Sequence, residues 1–193
     1  HPGLYGFPRS EVERFEICVG AILTQNTAWP NAERALAQLR QEGLLSPESL
    51  LAAPEFLVET TVRPSGCFRV KSRKLRAMAH FFQALDGDTP RREALLAVWG
   101  IGPETADSML LYAYGQPEAV VDAYTTRILE SLGWLPRGTV YADVKAWCAD
   151  RLPADVIVLQ EFHALMVEHA KRCYRRPPYC DSLLAPFHRS RFG

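Results

Sequence analysis

Between positions 70 and 85 the apolar residues Leu75, Met78, Ala79, Phe82 and Leu85 return at steps of three and four. That spacing lays one apolar face along a helix and cannot keep one face along a strand. The stretches 15–23 and 155–169 read the same way, the second with Leu159, Phe162, Leu165 and Met166 on one side. No segment alternates apolar and polar residues between hairpin turns. Start signals agree with helices. Ser10 and Glu13 form a capping box, and Ser46-Pro47 and Thr89-Pro90 each set a cap residue before a proline at the first helical position. Asp122 opens a further helix that stops at Gly133. The chain is expected to be all-α, with about ten helices and short connections.

The chain has 193 residues, 48% of them hydrophobic, which suffices for one good core or two small ones. It holds no apolar run of the roughly eighteen residues that a membrane-spanning helix needs. Its five cysteines, at 18, 67, 148, 173 and 180, are odd in number and scattered, so a disulfide framework is not expected and a reducing, cytoplasmic compartment is. Formal net charge is zero, which alone argues against a nucleic-acid partner. The distribution argues the other way. Arg69, Lys71, Arg73, Lys74 and Arg76 form a basic run without an acid, and Lys171, Arg172, Arg175 and Arg176 form a second that continues to Arg189 and Arg191. A single run of this kind is as often a solvated helix face; two of them flanking the motifs below favour phosphate contact.

The most informative stretch joins two helices through Trp99-Gly100-Ile101-Gly102-Pro103-Glu104-Thr105. Glycines at 100 and 102 permit positive φ and close approach of the backbone to a ligand. Pro103 suits the first turn of the second helix, whose amides favour an anion. This is the physics of a hairpin that grips a DNA phosphate without reading sequence. Gly-x-Gly alone would also fit an ordinary connection. Twenty residues beyond Gly102 comes Val120-Val121-Asp122-Ala123-Tyr124, and upstream lies Leu23-Thr24-Gln25-Asn26-Thr27.

Taken together, these segments resemble the endonuclease III superfamily of helix-hairpin-helix DNA glycosylases. The resemblance implies base excision through an oxocarbenium-like sugar, with Asp122 as the catalytic carboxylate. An aspartate at a helix start is most often only a cap, and the two roles are compatible because the cap fixes the carboxylate. Two helical subdomains are expected, with a DNA-binding cleft between them: 23–118 containing the hairpin, and 1–22 with 119–193 as the second. Implied partners are damaged double-stranded DNA and no membrane, with the chain acting as a monomer in a bacterial or archaeal nucleoid.

Two departures select a branch. Bifunctional members carry a lysine two residues after the second glycine, where it forms a Schiff base with the sugar. Here that residue is Glu104, so lyase activity is expected to be absent or weak, with water as nucleophile. Endonuclease III also holds a [4Fe–4S] cluster with four cysteines. Cys173 and Cys180 keep the first spacing, but Leu183 and Arg189 stand at the next two positions. The expectation is therefore no metal, no cluster and no cofactor, with those two thiols as remnants, apart from a structural monovalent cation at the hairpin. The combination is similar to the 3-methyladenine DNA glycosylase III branch, which implies alkylated purines as substrates; the alternatives are a uracil, mismatched-thymine or oxidised-pyrimidine glycosylase of the same fold, or a non-catalytic binder of damaged DNA. Trp29, Phe7, Tyr5 and Lys171 are the candidates for the base pocket, although Phe7 and Tyr5 serve equally well as packing aromatics. Gln25 or Asn26 would fill the gap left by a flipped base. Gly100, Ile101, Gly102, Thr105, Arg69, Lys71, Arg73 and Lys74 would hold DNA, and Trp99 would buttress the hairpin.

Overall fold

The computed structural model describes residues 6, 7, 9–177, 179 and 183–187; Tyr5 and Cys180 lie outside them. Ten α-helices and no strand occur among the described residues: α1 (Glu11–Leu23), α2 (Trp29–Gln41), α3 (Pro47–Ala52), α4 (Glu55–Thr61), α5 (Phe68–Leu85), α6 (Arg92–Ala97), α7 (Pro103–Ala113), α8 (Ala123–Ser131), α9 (Tyr141–Ala149) and α10 (Val156–Cys173). The all-α expectation holds. Helix starts follow the capping chemistry of the sequence. The Ser10 hydroxyl accepts from the Glu13 amide while the Glu13 carboxylate accepts from the Ser10 amide, and Ser46 caps α3 through the Ser49 amide. One start differs. The signal at Thr89-Pro90 is bypassed, Pro90 is buried, and α6 begins at Arg92. The tertiary ion pair made by Arg92 outweighs the local cap.

The chain divides into two units, 1–116 and 117–193. In the first, α1 is the central element, packed against α2, α5 and α7. Phe15, Cys18, Val19, Ile22 and Leu23 of α1 are buried together with Leu75, Met78, Met109 and Leu110. Each such aliphatic or aromatic side chain contributes roughly 1.5–3 kcal/mol of transfer free energy. Burial also pushes the Cys18 thiol up to about 12, leaving it inert. The expected grouping of 1–22 with the C-terminal part is corrected: α1 is built into the core of the first unit, because its apolar face meets the hairpin helix α7 and the long helix α5.

Two polar devices brace this unit. Arg92 at the start of α6 donates from Nε and Nη2 to both carboxylate oxygens of the fully buried Asp107 on α7, at 2.6 and 3.1 Å. This bidentate pair clamps the two arms of the hairpin. Lys71 on α5 is 3% exposed, and its Nζ donates to the Leu23 carbonyl, the Thr27 hydroxyl and the Ser65 carbonyl at 2.7, 2.6 and 2.7 Å. These bonds occupy the three donors of an ammonium group. Burial draws its pKa down to about 8, opposed by Cys67 and reinforced by Lys74.

The second unit contains α8, α9 and α10. Helices α8 and α10 pack on each other around Ile128, Leu132, Ala170 and Tyr174. Trp134 stacks on Trp147 with ring centroids 5.7 Å apart, and its indole N–H donates to the Phe187 carbonyl at 2.9 Å. No helix of the described residues is long and apolar enough to cross a membrane.

Replacing Arg92 by Met strands a buried carboxylate and is expected to cost roughly 3–5 kcal/mol in urea unfolding. The double replacement Arg92→Met/Asp107→Leu should recover most of that loss. Lys71 gives a signed pH prediction. Its folded-state pKa of about 8 lies below the unfolded value of about 10.4, so the folded chain releases this proton first. The cost of the buried charge is fully present below the folded value and fades as pH rises toward the unfolded one. Wild-type stability relative to Lys71→Met should therefore increase between about pH 8 and 10. A flat difference in Tm across that window would contradict the assignment.

Candidate functional site

The hairpin connection runs from Val98 to Gly102. The Ile101 amide donates to the Val98 carbonyl at 3.1 Å, and the Ile101 side chain turns inward to the core. The two glycines have different duties. Gly100 has φ +85°, and a Cβ there would lie 2.6–2.8 Å from the stem of Lys74, which crosses its face. Gly102 is extended at φ −95° and ψ 175°, and a Cβ there would meet nothing within 4 Å. The fold thus requires glycine at 100, whereas at 102 a side chain would enter open space beside the start of α7. That start has no side-chain cap, and Glu104 is exposed in its first turn.

The turn 24–27 lies beside the hairpin in the same unit. The Gln25 amide donates to the Gly100 carbonyl at 3.2 Å and to the Thr105 hydroxyl at 3.0 Å, while Lys74 donates to the Gln25 side-chain oxygen. Asn26 is exposed in the left-handed conformation, φ +50°. Trp29 at the start of α2 is 54% exposed, a poor position for a packing aromatic. The basic run from 69 to 76 splits by helix geometry. Arg69 is exposed, 3.9 Å from Glu59. The Arg73 guanidinium lies 4.5 Å over the Trp99 ring. Arg76 donates to carbonyls of Leu51 and Ala53. One expectation is corrected here. Lys71 is no phosphate contact, because its ammonium is buried and turned into the fold. Trp99 is half exposed and covered by Arg73 of α5. Phe7 is held by packing, with its ring under the Arg9 guanidinium and against Gly115.

In the second unit Asp122 caps α8. Its Oδ1 accepts from the Thr125 amide at 2.7 Å and from the Thr125 hydroxyl at 2.9 Å. Two donors on one oxygen stop the carboxylate from rotating. The other oxygen faces His163 Nε2 on α10 at 4.0 Å, too far for a direct hydrogen bond. Asp122 is 11% and His163 20% exposed at the side chain. Burial holds His163 below its ordinary pKa, with the Asp122 charge opposing, so the ring is neutral near pH 7. A fixed, partly desolvated carboxylate of this kind can stabilise a sugar cation and orient water. His163 was not singled out from the sequence. It sits inside an apolar helix pattern, and its only signal was a polar ring next to Phe162. Thr125 had a clearer signal, three residues after a cap aspartate.

The remaining candidates are dispersed. Lys171 is exposed in the last turn of α10, and Cys173 ends that helix half-buried. In the hairpin the Val98 carbonyl accepts from the Ile101 amide and the Gly100 carbonyl from Gln25. Among the described residues no group of three or more His, Cys, Asp or Glu could hold a metal.

Comparison with known proteins places the chain. A candidate DNA repair glycosylase of Methanocaldococcus jannaschii is 38% identical over 180 residues, covering 88% of this chain and 82% of the relative. Endonuclease III of Thermotoga maritima is 28% identical over 187 residues, 94% of this chain and 86% of that protein. A trapped covalent endonuclease III–DNA intermediate superposes with a TM-score of 0.76 at 20% identity, covering 91% of this chain and 82% of that one. The 3-methyladenine DNA glycosylase MagIII of H. pylori, solved with 1,N6-ethenoadenine, gives 0.71 at 24% identity, covering 83% and 86%. The last two show a shared fold. These matches correct the expectation that the chain needs no cofactor. Endonuclease III homologues usually carry a [4Fe–4S] cluster, so relatedness removes the ground for expecting none. The described thiols do not assemble its four ligands: Cys18 and Cys148 are buried in α1 and α9, Cys67 is exposed near α5, and Cys173 ends α10. The model of the HhH-GPD superfamily of base excision DNA repair proteins matches residues 19–153, and the chain belongs to that superfamily.

Proposed function

We propose that the protein is a monofunctional DNA glycosylase that hydrolyses the N-glycosidic bond of alkylated purines, 3-methyladenine first, in double-stranded DNA, acting as a monomer. The residue at the Schiff-base position, Glu104, carries this reading. The chain has four lysines. Lys71 is buried with three acceptors, Lys74 donates to Gln25, Lys145 donates to Glu118, and Lys171 is exposed at the end of α10. Where a Schiff-base lysine would stand, the first turn of α7 presents Glu104. A carboxylate cannot form an imine, so water is the nucleophile.

Asp122 stabilises the positive charge that develops on the sugar and orients the attacking water. The carbon–nitrogen bond breaks with its electrons passing to the base, the water oxygen bonds to the anomeric carbon, and the water proton goes to the carboxylate or solvent. A base methylated at N3 is cationic while attached and neutral once released, which makes it a good leaving group. Modest catalysis therefore suffices, in keeping with a single carboxylate. The MagIII complex supports the substrate class, since that protein of the same fold holds an alkylated adenine. Trp29 offers a stacking surface, and the open start of α7 at Gly102, beside Gly100, makes the phosphate grip with Arg69, Arg73 and Lys74, while Ile101 and Thr105 hold the hairpin from within. Asn26 fills the gap of the flipped base, because Gln25 is committed to the hairpin.

Release of free base from methylated duplex DNA, scored with and without alkali, tests the reading. Free 3-methyladenine should appear, with strand breaks only after alkali. Breaks without alkali would mean that an amine attacks the sugar, and activity confined to pyrimidine lesions would overturn the substrate. Asp122→Asn should lose on the order of 100-fold or more in excision rate while retaining DNA affinity. Full excision by that variant would remove Asp122 from the chemistry and favour a binder of damaged DNA. Gly102→Ala should keep the wild-type Tm yet weaken duplex binding about tenfold or more, because its Cβ stands only in the way of a ligand.

A further inference from the structure

We infer that Lys71 is a positioning residue for strand separation, its ammonium fixing the 24–27 turn so that Asn26 is held at the apex that enters the duplex. This rests on the glycosylase reading above. The three acceptors of Lys71 come from three elements: the last residue of α1, the turn itself, and the short 3₁₀ turn Arg63–Ser65. All three are uncharged oxygens. A buried charge held only by neutral oxygens is a costly way to join helices, and apolar packing would do so at lower cost. What an ammonium supplies, and a leucine cannot, is convergence of three acceptors at one point.

Each residue around the apex is tied. Thr27 accepts from Lys71 and donates to Ser65 at 2.6 Å, and Gln25 donates to Gly100 and Thr105. Within the turn 24–27 Asn26 alone is exposed, in a left-handed conformation that asparagine tolerates. The result is one polar side chain presented on a braced turn. A wedge has to hold its place against base stacking, and a loose turn would yield before the base pair does.

Duplex DNA carrying an abasic analogue beside 2-aminopurine tests this with the full chain, since fluorescence of that base reports unstacking without any excision. Wild type should raise the fluorescence. Lys71→Met should bind the duplex with Kd changed by less than about threefold, as phosphate contacts dominate affinity, yet lose most of the rise. Excision of a paired lesion should fall on the order of 100-fold, while excision from a single strand, which needs no wedge, changes by less than about threefold. Thr27→Ala, which removes one acceptor, should show the same pattern more weakly, and it decides the matter if Lys71→Met does not fold. Equal losses on paired and single-stranded lesions, unchanged fluorescence in both variants, or no rise with wild type would each overturn the inference. A rise that depends on Lys71 in a protein that releases no alkylpurine would keep the inference and discard the substrate.

Discussion

An all-helical chain with short connections has to satisfy the unpaired amides and carbonyls at its helix ends, and most of what matters here follows from how that is done. Ser10, Ser46, Asp122 and Asp155 each cap a helix start with a side-chain oxygen. At the other end of α1 the Leu23 carbonyl is met by the ammonium of Lys71, brought in from a helix far along the sequence. The start of α7 is treated differently. Its cap residue is a glycine without a side-chain bond, and the space beside it is open. The same requirement that stabilises the other ends leaves this one suited to an anion from outside.

On the proposed reading, capping also supplies the chemistry. Asp122 is first a helix cap, and the bonds from Thr125 that serve the fold also determine where its second oxygen points. Preorganisation of this kind adds no further ordering cost at the moment of reaction, because folding has already oriented the group. The ring of His163 stands 4.0 Å from that second oxygen, and burial favours its neutral form, so it brings no competing charge near pH 7.

Charge on this protein is local. Zero net charge conceals a run of five basic residues whose members have separate fates. Arg69 points to solvent, Arg73 lies over Trp99, Lys74 crosses Gly100 to reach Gln25, and Lys71 and Arg76 turn inward to carbonyls. On a helix, residues two apart face in different directions, so a cluster in sequence is not a patch in space. A count of basic residues overstates the phosphate-binding surface by the share that the fold uses for itself.

The order of helices, the hairpin and the cap at Asp122 were legible in the sequence, because helical periodicity, side-chain capping and glycine turns are local physics with ranges of three to five residues. Glu104 in place of a lysine was equally plain. What the sequence could not show was anything settled by residues far apart: that α1 belongs to the core of the first unit, that α6 starts at Arg92 because Asp107 holds it, that His163 faces Asp122, and that Lys71 is buried rather than offered to DNA. Those depend on which side chains converge once the helices pack. Convergence over 41 residues between Asp122 and His163, or 48 between Leu23 and Lys71, leaves no periodic trace in either segment.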